Sequence, residues 1–182
     1  MSNPRTNSII LVGYMCVGKT TLGRALAEKT GMTFYDLDWY IEERFRCSIP
    51  HLFETYGEAK FRDIERRMLH EVAEFENIVL SCGGGTPCFF DNMAYMNRCA
   101  TTVYLQASPE VICKHLQMSR GERPLLKGKS GDELQAFITG QLALREPFYA
   151  QAAHTQRITP LDDFDKINVI VEQLINTLLH KK

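Results

Sequence analysis

The sequence predicts a doubly wound α/β fold, because short apolar strand candidates alternate with amphipathic helix candidates along the chain. The strand candidates are runs rich in β-branched residues, which is typical of strands buried on both faces of a parallel sheet. Polar or glycine-rich segments directly follow several of these runs. Ligands bind beyond the carboxyl ends of such strands, so these segments are the candidate site.

The bulk composition is that of one globular domain. A length of 182 residues suits a single domain over 1–182, and 45% hydrophobic with 24% charged residues is ordinary for a soluble protein. The net charge of −1 argues against a general nucleic-acid or membrane-surface binder. No apolar segment approaches the roughly 20 residues of a membrane helix. A monomer is the default expectation.

The cysteines and the N-terminus favour a cytoplasmic location. None of the six cysteines forms a CxxC pair, which excludes the zinc-knuckle and thioredoxin-like patterns. The short apolar run near the N-terminus suits a strand better than a signal peptide. We therefore expect a cytoplasmic enzyme with reduced thiols.

The first half of the chain predicts strands at Ser8–Val12, Thr33–Asp36 and Asn77–Cys82. A helix is predicted over Thr20–Lys29, with Gly31 as its left-handed cap. A second helix is predicted over Gly57–Phe75, where apolar residues recur every three or four positions. The polar side chains Arg62, Glu65 and Arg66 lie off that apolar face.

The second half predicts strands at Ala100–Gln106 and His154–Thr159. Helices are predicted from Ser108-Pro109, over Asp132–Gln151 with a bend or stop at Pro147, and over the apolar repeat Phe164 to Leu178. The glycine- and cation-rich segment Ser119–Gly131 breaks the periodicity. We interpret it as a mobile lid, at about residues 118–131, over a site.

The segment Gly13–Thr20 fits the phosphate-loop pattern GxxxxGK[ST] between a strand and a helix. Its backbone N–H groups and the helix N-terminus would hold phosphates, with Lys19 on the β- and γ-phosphates and Thr20 on Mg²⁺. The alternative is an ordinary glycine turn with an accidental lysine. Cys16 stands where many small kinases carry glycine, so it either adopts a strained positive φ or sits in an ordinary conformation.

Two carboxylates, Asp36 and Asp38, follow the second strand. If the segment is extended, residues two apart share a face, and both acids point at one site. One would then hold the water shell of a magnesium ion and the other would orient or deprotonate a hydroxyl. The alternative is a helix N-cap followed by a first-turn acid.

Three consecutive glycines, Gly83–Gly85, follow the third strand and suit direct contact between backbone and ligand, although a flexible turn is an alternative. Ser81, just before them, would help to hold the metal's water shell or satisfy a strand-end hydrogen bond. Arg62, Arg123 and Arg145 suit a γ-phosphate and an anionic substrate. Residue type alone does not distinguish them from solvated surface arginines.

Taken in order, six segments resemble the shikimate kinase family over nearly the whole chain. They are GYMCVGKTTLGRALA at 13–27, FYDLDWYIE at 34–42, GEAKFRDIE at 57–65, SCGGGT at 81–86, RPLL at 123–126 and LREPFYAQAA at 144–153. The resemblance implies a P-loop, nucleoside-monophosphate-kinase-like fold with a five-stranded parallel sheet and a lid. It also implies a substrate-binding region at about 36–65.

The resemblance further implies ATP-dependent phosphorylation of shikimate to shikimate 3-phosphate, a step of aromatic amino-acid biosynthesis. ATP phosphates would contact Cys16, Val17, Gly18, Lys19, Thr20, Thr21 and Arg123. Mg²⁺ would bind Thr20 directly, with Asp36 and Ser81 reached through water. Shikimate would contact Asp38, Arg62, Gly83, Gly84, Gly85 and Arg145. Catalysis would rest on Lys19, Asp38 and Arg123.

One departure concerns the adenine site, where the family often stacks an arginine just before the lid. This chain has Lys114-His115 near that place, which would supply a charge and a flat face. The rival interpretations are another small-metabolite kinase, such as a gluconate or nucleotide kinase, and a nucleotide-binding protein without turnover. Cys16 is the feature that favours the last of these.

Overall fold

The computed structural model describes residues 7–118 and 131–179. In this part five strands form one parallel sheet: β1 Ile9–Val12, β2 Thr33–Asp36, β3 Ile78–Ser81, β4 Thr101–Gln106 and β5 His154–Arg157. The flanking helices are α1 Lys19–Thr30, α2 Leu37–Phe45, α3 Ile49–Ala73, α4 Asn92–Cys99, α5 Pro109–Met118, α6 Gly131–Tyr149 and α7 Phe164–Leu178. A short 3-10 helix spans Thr86–Cys88. The predicted doubly wound, five-stranded α/β fold is confirmed.

The strand order β2–β3–β1–β4–β5 explains where the sheet can bind a ligand. The chain builds β2 and β3 on one side of β1, then crosses to place β4 and β5 on the other side. This reversal opens a crevice beyond the carboxyl end of β1. The phosphate-loop candidate begins there, one residue after Val12.

The strand β1 occupies the centre of the sheet and is almost completely buried. Its four residues, Ile9–Val12, are at most 1% exposed, because β3 and β4 cover its edges and helices cover its faces. The β-branched run predicted from sequence therefore marks the most buried strand. Strand ends differ from the prediction by one or two residues, as at β5, which ends at Arg157 and not at Thr159.

Two glycines with positive φ, Gly31 and Gly57, mark helix boundaries. Gly31 closes α1 at φ 71°, as predicted. Gly57, at φ 73° and ψ 169°, breaks α3, so the predicted helix does begin there. A further helical stretch over 49–56 precedes the break and was not predicted.

The helix α4 and the 3-10 helix were also not predicted, and α2 was indicated only by the capping alternative for Asp36 and Asp38. In α6, Pro147 does not stop the helix at once, because α6 continues to Tyr149. The predicted lid, with Arg123, lies almost wholly outside the described residues. Within the described part, no helix is long and apolar enough to cross a membrane.

Candidate active site

Lys19 is the single cation of the phosphate-loop candidate Gly13–Thr20, and it is buried. Its side chain starts at the first residue of α1, is 8% exposed, and donates hydrogen bonds from Nζ to the carbonyl oxygens of Gly13 at 2.9 Å and Tyr14 at 2.8 Å. Burial lowers the pKa of this amine, and the charges of Asp38 and Asp36 work against that shift. The loop is therefore wound around its own lysine.

Cys16 adopts a left-handed conformation, with φ 60°. The sequence left two possibilities open, and the structure shows the strained one. A non-glycine residue there costs on the order of 1 kcal/mol. The main chain of this loop is therefore held against a local conformational preference.

The second half of the loop lines a pocket of about 310 Å³, although Val17 does not take part in the lining. Val17 is buried, and its N–H donates to the Tyr14 carbonyl at 3.4 Å, while Thr21 is exposed on the first turn of α1. Gly18 has φ 106°, which suits glycine. The residues lining the pocket are Cys16, Gly18, Lys19, Thr20, Thr21, His115, Met118 and Leu161.

His115 and Lys114 are both engaged by other groups of the protein. The His115 ring is 8% exposed, and both of its nitrogens are bound to backbone groups. Lys114 forms an ion pair with Asp162. His115 lines the pocket, but its polar edges serve the protein itself.

A group of oxygen ligands lies on the other side of Lys19. The Thr20 hydroxyl donates to Asp36 Oδ2 at 3.0 Å, and β2–β3 pairing places Asp36 beside Ser81. All three line a second pocket of about 220 Å³. Hydroxyl and carboxylate oxygens are what Mg²⁺ prefers, with few protein ligands and the rest from water and phosphate. The donor set fits Mg²⁺, and the described residues hold no cluster of three or more His, Cys, Asp or Glu side chains suited to a metal.

Asp36 and Asp38 both line this second pocket, and of the two geometries that the sequence left open the structure shows the helix N-cap. Asp36 is the N-cap of α2 and accepts a hydrogen bond from the Asp38 N–H at 3.1 Å. Asp38 lies in the first turn of that helix. The capping alternative is therefore correct as local structure, and the cap aims both acids into the pocket.

Asp38 is the titratable group that the site perturbs most clearly toward neutral pH. Its pKa is raised to about 6, chiefly because burial penalises the carboxylate, with further repulsion from Asp36 and Glu65. The charge of Lys19 partly opposes the shift. An acid poised near the working pH is suited to orient or accept a proton.

The three glycines each bring the backbone against a different functional group. A methyl group on Gly83 would lie 2.9 Å from Asp38 Oδ1, and one on Gly85 would lie 2.8 Å from Arg62 Nη2. On Gly84 it would lie 3.2 Å from the Met15 nitrogen in the phosphate loop. The segment is therefore a point of close approach, which a flexible turn would not require.

Arg62 is held by acids and by an aromatic ring. Its Nη1 donates to Glu65 at 2.8 Å and its Nη2 to Glu58 at 3.3 Å, and the guanidinium lies 4.1 Å from the centre of the Phe89 ring. Nε of Arg62 is buried and has no partner in the described part of the chain. The group is anchored on one side and keeps donor capacity on the other.

Arg145 approaches the same glycines from α6. Its guanidinium lies 5.5 Å from the centre of the Tyr14 ring, and its Nη1 would be 3.6 Å from a methyl group on Gly84. Tyr149, one turn later, donates its hydroxyl to the Gly84 carbonyl. The structure thus brings Arg62 and Arg145 to one glycine segment. Arg123 lies outside the described residues.

Three residues of the site were missed by sequence reasoning. Glu65, assigned to the polar face of α3, is 2% exposed and accepts from Thr86 at 2.7 Å as well as from Arg62. Trp39 lines the second pocket at 47% exposure, with Arg24 lying 4.8 Å from its ring centre. An acid three positions after an arginine was the available signal for Glu65. Nothing in the sequence singled out Thr86 or Trp39.

The family model described as "Shikimate kinase" matches residues 15–178. A curated shikimate kinase of Bacteroides fragilis is 52% identical over 91% of this chain and 93% of that protein. A crystal structure of shikimate kinase from Bacteroides thetaiotaomicron has a TM-score of 0.91 at 51% identity, covering 94% of this chain and 97% of the other. Shikimate kinase from Acinetobacter baumannii in complex with shikimate has a TM-score of 0.82 at 31% identity, covering 98% and 96%.

Proposed function

This chain belongs to the shikimate kinase family and phosphorylates shikimate with ATP, and from that premise we propose which of its residues perform the transfer. The reaction converts ATP and shikimate into ADP and shikimate 3-phosphate. One observation carries the assignment: Lys19, Asp38 and the Gly83–Gly84 backbone line a single pocket beside the phosphate loop. Arg62 and Arg145 stand at the edge of the same glycine segment.

The ATP phosphates would bind the loop Gly13–Thr20, as its position between β1 and α1 supports. Backbone N–H groups from Cys16 to Thr21 and the helix N-terminus supply partial positive charge. Lys19 would exchange its bonds to the loop carbonyls for bonds to the β- and γ-phosphates. Its burial strengthens that attraction, because little water competes for the ammonium group.

The magnesium ion would be held by Thr20 directly and by Asp36 and Ser81 through water. When bound, it supplies positive charge to the phosphate oxygens. The residues themselves fix where those oxygen ligands point. Asp36 does this twice, since one carboxylate oxygen accepts from Thr20 and the other caps α2.

Asp38 would accept a hydrogen bond from the shikimate hydroxyl that is phosphorylated. Its raised pKa means that the carboxylate holds a proton more readily than an ordinary aspartate. As the oxygen–phosphorus bond forms, the hydroxyl proton passes toward Asp38 and the ADP oxygen leaves with the electron pair. Most of the rate enhancement would come from alignment and charge, since phosphoryl transfer needs little covalent chemistry from the protein.

The shikimate carboxylate would be bound by Arg62 and Arg145, with the Gly83–Gly85 backbone as the floor of the site. Two arginines from different helices suit a bidentate, planar anion. Arg123, which belongs to the predicted lid, would neutralise charge on the phosphoryl group during its transfer. We also propose that the enzyme is a single-domain cytoplasmic monomer that binds no nucleic acid or membrane.

A coupled assay for ADP release tests the substrate assignment. Shikimate, gluconate and a set of nucleoside monophosphates are compared at equal concentrations, with and without Mg²⁺. Among these acceptors we expect only shikimate to support release of ADP from ATP. This release should require Mg²⁺. Turnover of another acceptor with none on shikimate would overturn the assignment. ATP binding without turnover of any acceptor would favour a non-catalytic nucleotide-binding protein.

A further inference from the structure

His115 joins two segments that are far apart in sequence. It lies on α5, and its Nδ1 is 2.8 Å from the carbonyl oxygen of Cys16 in the phosphate loop. The backbone N–H of Leu161, between β5 and α7, donates to its Nε2 at 2.8 Å. The ring is buried, so these bonds face little competition from water.

The two partners determine the protonation state of the ring. A backbone N–H only donates and a backbone carbonyl only accepts. Nε2 must therefore accept from Leu161 and carry no proton, and Nδ1 must carry the proton that it donates to Cys16. The bridge consequently requires neutral histidine in its Nδ1–H form.

The bond to Cys16 fixes more than one carbonyl. The Cys16 carbonyl and the Val17 N–H belong to the same planar peptide and point in opposite directions. Holding the carbonyl toward His115 therefore holds the Val17 N–H toward the inside of the loop, where it faces the Tyr14 carbonyl. This is the peptide next to the strained residue, where the loop has most reason to relax.

The bond to Leu161 fixes one wall of the adjoining pocket. The Leu161 side chain packs so closely on the phosphate loop that a methyl group on Gly18 would lie 2.3 Å from its Cδ1. Both residues line the 310 Å³ pocket beside the loop. Asp162, the next residue, is paired with Lys114 on α5, which supports the same contact from the surface.

We propose that His115 is a positioning residue for ATP, which holds the Cys16–Val17 peptide in its phosphate-binding orientation and the Leu161 wall against the nucleotide pocket. The proposal rests on the assignment of Gly13–Thr20 as the ATP phosphate loop. His115 acts through these backbone groups and has no role in the shikimate half of the site. Its loss changes ATP affinity selectively.

Three substitutions separate the two bonds. His115→Ala removes both. In His115→Asn the amide nitrogen stands near the place of Nδ1 and can donate to Cys16, but nothing reaches Leu161. In His115→Gln the amide oxygen stands near the place of Nε2 and can accept from Leu161. His70→Ala is the matched control, because it removes a ring stacked on Tyr95 at 3.7 Å, on α3 and away from the phosphate loop.

Steady-state kinetics and thermal melts with and without ADP give the readouts. We expect His115→Ala to raise KM for ATP about tenfold, to leave KM for shikimate within about twofold, and to shrink the rise in Tm caused by ADP. His115→Asn should recover most of the ATP affinity, and His115→Gln less of it. His70→Ala should lower Tm without changing KM for ATP.

Three results would overturn the proposal. One is a folded His115→Ala enzyme with the wild-type KM for ATP. Another is an equal rise in KM for both substrates, which indicates general loosening. The third applies if His115→Ala does not fold: it is a wild-type ATP affinity in both His115→Asn and His115→Gln. The Lys19→Ala variant tests the phosphate-loop assignment separately from the role of His115. Wild-type kinetics in Lys19→Ala would refute the phosphate-loop assignment itself. An inactive Lys19→Ala enzyme together with a normal His115→Ala enzyme would refute only the role of His115.

Discussion

The guanidinium of Arg62 lies directly against the backbone of Gly85, with no room for a side chain between them. A methyl group there would be 2.8 Å from Nη2 and 3.0 Å from Nη1. A hydrogen bond to Glu65 and a contact with the Phe89 ring restrict movement of the Arg62 guanidinium away from Gly85. The proposed carboxylate site therefore depends on the absence of one Cβ atom.

Gly85→Ala should weaken shikimate binding without affecting ATP. The added methyl pushes Arg62 out of place, so we expect KM for shikimate to rise by about ten- to a hundredfold, the equivalent of losing one or more charged hydrogen bonds. Separate KM values for each substrate check this. Gly140→Ala on α6 is the control, because a methyl group there meets nothing within 4 Å. Equal effects of the two substitutions would contradict the proposed contact.

Arg145→Ala should also raise KM for shikimate by about ten- to a hundredfold, because one partner of a charge-assisted pair is lost. Stability should change little, since the guanidinium is only half-buried and rests on the Tyr14 ring. Kinetics and a urea melt measure the two quantities. Arg157→Ala, at an exposed position of β5, controls for loss of a surface cation. Unchanged shikimate kinetics would remove Arg145 from the site.

Asp38→Asn should reduce kcat while stabilising the free protein. An amide cannot take the proton, which costs about 10² to 10⁴ in rate. The carboxylate is disfavoured in the folded state, since its pKa is about 6 against 3.8 for the ordinary group. Above pH 6 this corresponds to a destabilisation of roughly 2 to 3 kcal/mol, which the amide removes.

The sign of that stability difference can be checked by urea melts across pH. Because the folded pKa is the higher one, the cost is fully present above pH 6. It fades as pH falls through the folded value and is gone below about pH 4. The Asp38→Asn advantage should therefore shrink on acidification. Asp63→Asn, an exposed carboxylate on α3, is the control, and a wild-type protein equal to Asp38→Asn at pH 8 would contradict the prediction.

The acid limb of the pH–rate profile should report the same group. With Asp38 as proton acceptor, kcat/KM for shikimate should fall about tenfold per pH unit below pH 6 in the free enzyme. The residual activity of Asp38→Asn should lack this limb. An identical limb in both enzymes would assign it to another group.

Cys16→Val should destabilise the protein by about 1 to 2 kcal/mol, because a β-branched side chain tolerates positive φ poorly. Urea denaturation gives the free energy of unfolding. Cys113→Val is the comparison, since that partly buried residue lies within α5 at ordinary helical geometry, where valine costs only about 0.5 kcal/mol. Similar losses at both positions would show that the φ of Cys16 carries no strain.

The fold was predictable because its signals are local. Buried β-branched runs such as Ile9–Val12 mark strands, and Gly31 marks a helix end, without knowledge of the rest of the molecule. The helix α2 was indicated only by the capping alternative for Asp36, because the helix begins directly after β2 and Asp36 both ends that strand and caps the helix. The helix α4 is short, and its periodicity covers little more than two turns.

The site was only partly predictable for the opposite reason. Lys19, Thr20 and the glycines belong to contiguous motifs, whose mechanics can be derived from their spacing. The roles of Glu65 and His115 depend on partners far away in sequence, namely Thr86, Cys16 and Leu161. A buried glutamate and a surface glutamate look alike in a helical pattern until the packing is known.

The position of Trp39 gives this enzyme a natural optical probe. It is the only tryptophan in the chain, it lines the pocket that holds Asp38, and it stands half-exposed under the guanidinium of Arg24. Its emission therefore reports solvent access at one known place. A ligand that fills this pocket changes the fluorescence of a single indole, so occupancy can be titrated on the unlabelled wild-type protein.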